Sequence, residues 1–312
     1  MKRILALLLV AASVFITVSC GNTTSTKQTS ATTQSTPDSA ATLTIVNPDI
    51  GHPSYNLEPY ANINFTDGTM TEENGVLTLE YKNTEGASPA EIEDTELTFL
   101  GKTKTIPALR IKNTGAYVKA TFNEFSNAQE IDSFVEENGG LTIEVLYLDN
   151  SSLNAVRGIV CCTESIENGR ASTRSGWGIA EDNGKPYFIV GNSDSNTYIS
   201  VYSQSEASQK ELVHVVAIFD SVHEQISLYV NGALHSTKKT SGRFTSANKE
   251  EYFEKFNMAN IFYIGSDPTA QNRPGGDYPA DDLTIADVKI YAKALSTHEA
   301  MLAYSLAVMM FD

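Results

Sequence analysis

The sequence predicts an all-β fold, a two-sheet antiparallel β-sandwich that ends in one short C-terminal helix. Three observations carry this. Turn signals recur at short intervals: Asp67-Gly68, Asn74-Gly75, Asn138-Gly139-Gly140, Asn168-Gly169, Asn183-Gly184 and Asn231-Gly232. Between them lie short runs that alternate apolar and polar residues, such as Val76 to Tyr81, Ala116 to Phe122, Leu141 to Tyr147, Thr197 to Tyr202 and Ile226 to Val230. No strand–helix–strand alternation competes with them, which excludes a parallel α/β sheet.

Taken in order, the chain opens with Lys2 and Arg3, an apolar run from Ile4 to Val18, and small residues before Cys20. Residues 1–19 therefore read as a secretory signal. Thr17-Val18-Ser19-Cys20 resembles the lipobox of bacterial lipoproteins, with Thr17 where that motif usually carries Leu; an ordinary signal peptide with an incidental cysteine is the alternative. The resemblance implies lipidation at Cys20, export, and anchoring to the cell envelope facing outward. In residues 21–42, twelve of twenty-two positions are Ser or Thr and none carries a large apolar side chain. Such a segment cannot bury enough surface to offset its ordering entropy, so 20–42 reads as a tether of about 25 Å mean reach. Residues 43–312 remain for the sandwich. Within them Asn248 to Phe256 is the one other stretch that fits a short helix. At the end, Leu283 to Tyr291 reads as a half-buried strand with a bulge near Ala286-Asp287, where the apolar set changes phase. Val288 and Ile290 then face the core. Ser296 is an N-cap with Glu299 as its capping-box partner, and Leu302, Leu306 and Met309 or Met310 form the stripe of the helix that follows.

Asp287-Val-Lys-Ile-Tyr291 with Ala294-Leu-Ser296 resembles the closing strand of LamG-like domains, in the concanavalin A-like lectin/glucanase superfamily. Three further segments agree in order: Gly140-Leu-Thr-Ile-Glu-Val145, Leu212-Val-His-Val-Val-Ala217 and Ile226-Ser-Leu-Tyr-Val-Asn-Gly232. The resemblance implies a jelly-roll sandwich over 43–312 and says far less about function, because one scaffold hosts many sites.

Charge and chemistry narrow the partners. The chain holds 22 basic and 38 acidic residues, a net charge of −16. Without Lys2 and Arg3 the balance is 20 against 38, or −18. Such a surface repels nucleic acid and anionic lipid, so contact with a membrane would come through the lipid anchor alone. Cys161 and Cys162 are adjacent in the run Arg157 to Cys162, so one should enter the core and the other lie exposed or under a loop. The five histidines (52, 214, 223, 235, 298) show no ligand spacing, which leaves no zinc site.

An enzyme reading would need two carboxylates projecting from one strand face across a glycosidic bond. The nearest match, Glu91-Ile-Glu-Asp-Thr-Glu96, departs from the glucanase order and follows Ser88-Pro89, so it reads as a solvated acidic turn. The chain is therefore read as non-catalytic, a glycoside hydrolase being the weakest alternative. For a binding role, sugar rings stack their C–H faces on aromatic side chains. If Ile199 and Val201 face the core, Tyr198 and Tyr202 share the outward face. Trp177, in Ser175-Gly-Trp-Gly178, is either a ligand platform or a core residue. The resemblance also implies one calcium ion at the sandwich rim, with Asp67, Asp281 and Asp282 as candidate ligands. Two function classes follow: a surface-anchored, lectin-like or adhesive module for an extracellular glycan or surface protein, and a structural or protein-interaction module of the envelope without a sugar site.

Overall fold

The alternating runs pair as antiparallel strands, Ile226 to Val230 across the Asn231-Gly232 turn and most of the others with segments far along the chain. A computed structural model describes residues 57–66, 68–83, 86–112, 115–126, 128–151, 156–165, 174–192, 199–240, 261–266 and 280–312. The signal, the lipobox, the tether, Asp67, Tyr198 and the stretch 248–256 lie outside the described residues. All described residues belong to one unit, Pro48–Asp312.

In chain order the elements are β1 (Ala61–Thr66), β2 (Thr69–Glu72), β3 (Leu77–Asn83), β4 (Glu91–Phe99), β5 (Lys102–Ile111), β6 (Ala116–Phe122), α1 (Ala128–Glu137), β7 (Gly140–Asp149) and β8 (Val156–Ser165). There follow β9 (Arg174–Asp182), β10 (Lys185–Asn192), β11 (Ile199–Tyr202), β12 (Val213–Asp220), β13 (Gln225–Val230), β14 (Ala233–Lys239), β15 (Ile261–Ile264), β16 (Leu283–Tyr291) and α2 (Thr297–Met309). Two antiparallel sheets result, as predicted. One runs β14-β13-β12-β7-β16-β1-β2, with β5 also on β16 and β4 on β5; the other runs β11-β10-β9-β8-β15-β6-β3.

The closing strand organises the first sheet. One side of β16 pairs with β7 along its length, and the register slips between Ile285 and Asp287, where the bulge was expected. Its other side is shared end to end: Leu283–Ile285 pair with β5 and Val288–Ile290 with β1. The bulge sits at that change of partner. Val288 and Ile290 are fully buried in the main core, together with Ile143, Val145, Val215 and Ala217 from the same sheet. Phe188, Val190, Ile199, Val201, Phe262 and Val118 meet them from the opposite sheet.

The outer face of the first sheet is covered by α2 and the β4–β5 hairpin. Leu97, Phe99, Leu146, Ala307 and Phe311 form one apolar cluster there, and Val216, Tyr229, Tyr291, Ala300 and Ala303 another. Ser296 and Glu299 form the expected capping box, the Glu299 amide donating to Ser296 Oγ. The buried stripe differs from the expected one. Ala300, Leu302, Ala303 and Ala307 are buried, while Leu306, Met309 and Met310 are only partly covered. Small residues face the sheet because the helix lies close on it. At the Asn231-Gly232 turn a Cβ on Gly232 would stand 2.5 Å from the Tyr304 ring, and its φ of +76° favours glycine independently.

Two local readings are corrected. Glu91–Glu96 is no turn but the start of strand β4, which pairs with β5 throughout. Glu93 is neutralised across the hairpin, its Oε1 lying 2.9 Å from Lys112 Nζ and 3.5 Å from Arg110 Nε. A helix also appears where none was expected. In α1, Ile131 and Val135 are buried and Phe134 is partly buried, an i, i+3, i+4 stripe set among acidic residues.

Candidate functional site

On β10 and β11 alternation sends Phe188, Val190, Ile199 and Val201 inward, so Tyr187, Ile189, Ser200 and Tyr202 occupy the outer face. Tyr187 and Tyr202 are register partners, and their rings stack at 4.9 Å between centroids and 20° between planes. Tyr187 is buried beneath, whereas Tyr202 is 44% exposed. The lower ring fixes the upper one, so Tyr202 offers solvent an aromatic surface that loses little freedom on binding. Farther across the same sheet Tyr117 and Tyr263 make an edge-to-face pair at 5.8 Å. Tyr263 is four strands from Tyr202, about 19 Å at ordinary strand spacing.

Trp177 is not part of this surface. It lies on the inner face of β9, 2% exposed, with its ring 5.7 Å from that of Phe262. The flanking glycines do not expose it, because in a strand the faces are set by parity. The cysteines obey the same rule: Cys162 is in the main core, and Cys161 is on the outer face with Ala180, Tyr187 and Ile189. One cysteine enters the core as expected, and the other faces outward but is buried rather than exposed.

At the end of the sandwich where β7 leaves and β16 begins, Ser151 ties the two together, its Oγ accepting from the Asp281 and Asp282 amides at 3.4 and 3.3 Å. Asp282 Oδ1 is 3.0 Å from Arg110 Nη2, and the same guanidinium donates to Thr284 Oγ1. Arg110 therefore already neutralises Asp282. Asp281 Oδ1 is buried with no hydrogen-bond partner among the described residues. Set against the calcium expectation, the fit is partial: one oxygen is available and the second carboxylate is held by a cation. Among the described residues no group of three or more His, Cys, Asp or Glu is placed to hold a metal.

Two buried ionic networks went unread in the sequence. Inside the sandwich Arg157 Nε donates to Asp149 Oδ2 at 2.5 Å and Nη2 to Glu181 Oε1 at 3.2 Å, while the Tyr147 hydroxyl donates to Glu181 Oε2 at 3.0 Å. Burial, with Asp149 alongside, pushes the Glu181 carboxyl up to about 7. Under α2, Glu144 accepts from the Tyr291 hydroxyl at 2.6 Å and lies 3.0 Å from His214 Nε2. Burial opposes its ionisation, but nearby Lys289 and His214 prevail and hold the carboxyl at about 2. Lys289 also pairs with Asp287. His214 is buried and serves this network. Neither network presents a carboxylate pair to a cleft: Asp149, Glu181 and Glu144 are each at most 3% exposed.

The concanavalin A-like lectin/glucanase superfamily model (Laminin_G_3) matches residues 133–301, 169 of the 312 residues. The chain belongs to this superfamily. Among solved structures it is similar to the binding domain of botulinum neurotoxin DC in complex with rat synaptotagmin II (13% identity, TM-score 0.54, covering 80% of this chain and 51% of that one). The same toxin's binding domain in complex with SialylT gives 14% identity, a TM-score of 0.55, and coverage of 81% and 52%. A structure of botulinum neurotoxin type C, a toxin whose cell entry is dependent upon interaction with two ganglioside molecules, gives 12% identity, a TM-score of 0.53, and coverage of 80% and 51%. At these identities the likeness is one of fold, and the chain spans about half the length of those domains. No curated protein sequence matches this chain.

Proposed function

We propose that the protein is a non-catalytic binding module for an extracellular glycan, held at the envelope by a lipid on Cys20 and the 20–42 tether. The observation that carries this reading is the exposed Tyr202 ring, stacked on buried Tyr187 on the outer sheet face. Such a platform grips one or two rings of an extended glycan, each stacked ring gaining about 1–2 kcal/mol by analogy with bases on aromatics. Affinity then falls in about the micromolar to millimolar range. Tyr198, outside the described residues, is proposed as a second sugar contact. The toxin binding domains of the same fold, solved with SialylT and with rat synaptotagmin II, support binding as its use. The test is a glycan array probed with the Cys20→Ser protein: at least one glycan binds, and Tyr202→Ala weakens it several-fold. If no glycan binds, the structural or protein-interaction reading takes its place.

A calcium ion at the rim is a further part of the proposal, and Asp281 carries it rather than Asp282. A bound calcium would supply a positive charge that fixes the rim loops. Chelator should then lower the melting temperature, and Asp281→Asn should remove that response. Identical melts with and without chelator, in protein shown free of metal, would leave Arg110 as the only cation there.

A further inference from the structure

The loop from Ser203 to Leu212 joins β11 to β12 and is held at both ends and in the middle. The Ser203 amide donates to the Pro186 carbonyl at 2.8 Å, Ala207 to Gly184 at 2.6 Å, and Leu212 to Thr98 at 2.8 Å. Ser208 Oγ accepts from the Lys210 and Glu211 amides at 3.2 and 3.1 Å, which closes a tight turn. Between this loop and the β9–β10 hairpin lies a cavity of about 570 Å³, within the usual range for small-ligand sites. Arg157 forms part of its lining, 2% exposed and locked by Asp149 and Glu181. The turn residues Asn183 and Gly184 and the loop residues 206–210 supply the rest of the wall.

The side chains of Glu206, Gln209 and Lys210 carry no hydrogen bond or ion pair among the described residues. Glu206 and Lys210 stand four apart in sequence, yet the turn at Ser208 keeps acid and base from pairing. A carboxylate, an amide and an ammonium thus line one open cavity, their side chains exposed to solvent and able to exchange water for a ligand's hydrogen bonds. A simple anion would gain Lys210 and meet repulsion from Glu206; a simple cation would meet the reverse. An apolar ligand finds little but Ala207 to bury against. The matching chemistry is a group that donates and accepts at successive carbons, as the vicinal hydroxyls of a sugar do. Gly184 is three residues from Tyr187 along β10, about 10 Å from the tyrosine pair.

We propose that this cavity is a saccharide subsite that receives the terminal ring of the glycan whose neighbouring rings lie on Tyr202. The inference rests on the glycan-binding reading above and names where the bound chain ends. It is tested with the Cys20→Ser protein on immobilised oligosaccharides whose non-reducing ends are a neutral hexose, an N-acetylhexosamine or a uronic acid. Glu206→Ala, Lys210→Ala and Tyr202→Ala are compared in that background. Both loop variants should melt like the parent, since their side chains hold nothing in the fold. The subsite predicts that each weakens binding at least tenfold and changes the ranking among the three chain ends. Binding that Tyr202→Ala weakens but the loop variants leave unchanged overturns the subsite and spares the platform. No binding by the parent overturns both. Calorimetry with free glycine is the last arm: if it alone binds, through an ammonium on Glu206 and a carboxylate on Lys210, the saccharide class is wrong.

Discussion

Tyr202 and Trp177 are both aromatic residues beside small neighbours, and the structure assigns them opposite duties. Tyr202→Ala removes a 44% exposed ring and its stacking on Tyr187, so it should cost only about 0.5–1.5 kcal/mol of stability while glycan binding falls several-fold. Trp177→Ala should cost about 3–5 kcal/mol, the range for a large core aromatic, and chemical denaturation measures it directly. A cost below about 1 kcal/mol would mean that the β9 face has been misplaced. Glu181 makes a second prediction at this scale. Its ordinary value of 4.5 rises to about 7 in the folded state, so between those values the native protein holds a proton that the unfolded chain has released. That contribution is full below the unfolded value and disappears as pH rises through the folded one. Stability should therefore fall between pH 5 and pH 8, and Glu181→Gln should flatten the slope. Glu144, at about 2, and Lys289, at about 12, titrate outside that window. An unchanged slope in the glutamine variant would show that Glu181 is already ionised at pH 5.

At the scale of elements, β16 and the turn beneath α2 carry the clearest expectations. Ile290 is 1% exposed and belongs to the main core, so Ile290→Ala should cost about 2–5 kcal/mol by denaturant unfolding. Gly232→Ala meets two penalties, a left-handed backbone and the Tyr304 ring. It should destabilise by about 1–3 kcal/mol and loosen α2, read as faster amide exchange along the helix. The strands of this chain are legible because period-two alternation and Gly turns are local signals. The bulge in β16 was legible for the same reason, since one extra residue shifts every apolar position after it. Helix α1 was missed although its stripe of Ile131, Phe134 and Val135 is present. Its acidic residues, Glu130, Asp132, Glu136 and Glu137, make the same stretch resemble a solvated loop. The acidic strand β4 failed for a matching reason: Glu93 is paired with Arg110 of β5 and with Lys112 just beyond it, partners that the local sequence does not show.

For the whole molecule, anchoring and binding are separable. Cys20→Ser should move the protein from the membrane fraction to the soluble one, and retention with normal lipid labelling would refute the anchor. The sequence by itself determined the fold class, the closing strand with its bulge, the capping box of α2 and the superfamily. Each of these is written in residues that are neighbours in the chain or repeat at a fixed period, so no knowledge of distant contacts is required. It also tied Tyr202 to the face opposite Ile199 and Val201, and the structure turned those two inward. The tertiary structure decided the rest. It buried Trp177, stacked Tyr202 on Tyr187, placed Arg110 against Asp282, and joined Asp149, Arg157 and Glu181 in one interior network. The cavity under the Ser203–Leu212 loop belongs to the same class, because its lining comes from β8, the β9–β10 hairpin and the loop itself. Register and sheet order bring such groups together, and both depend on pairings between segments far apart in the chain. Local pattern tells each strand which face to bury, and only the assembled sandwich tells each exposed side chain what stands beside it.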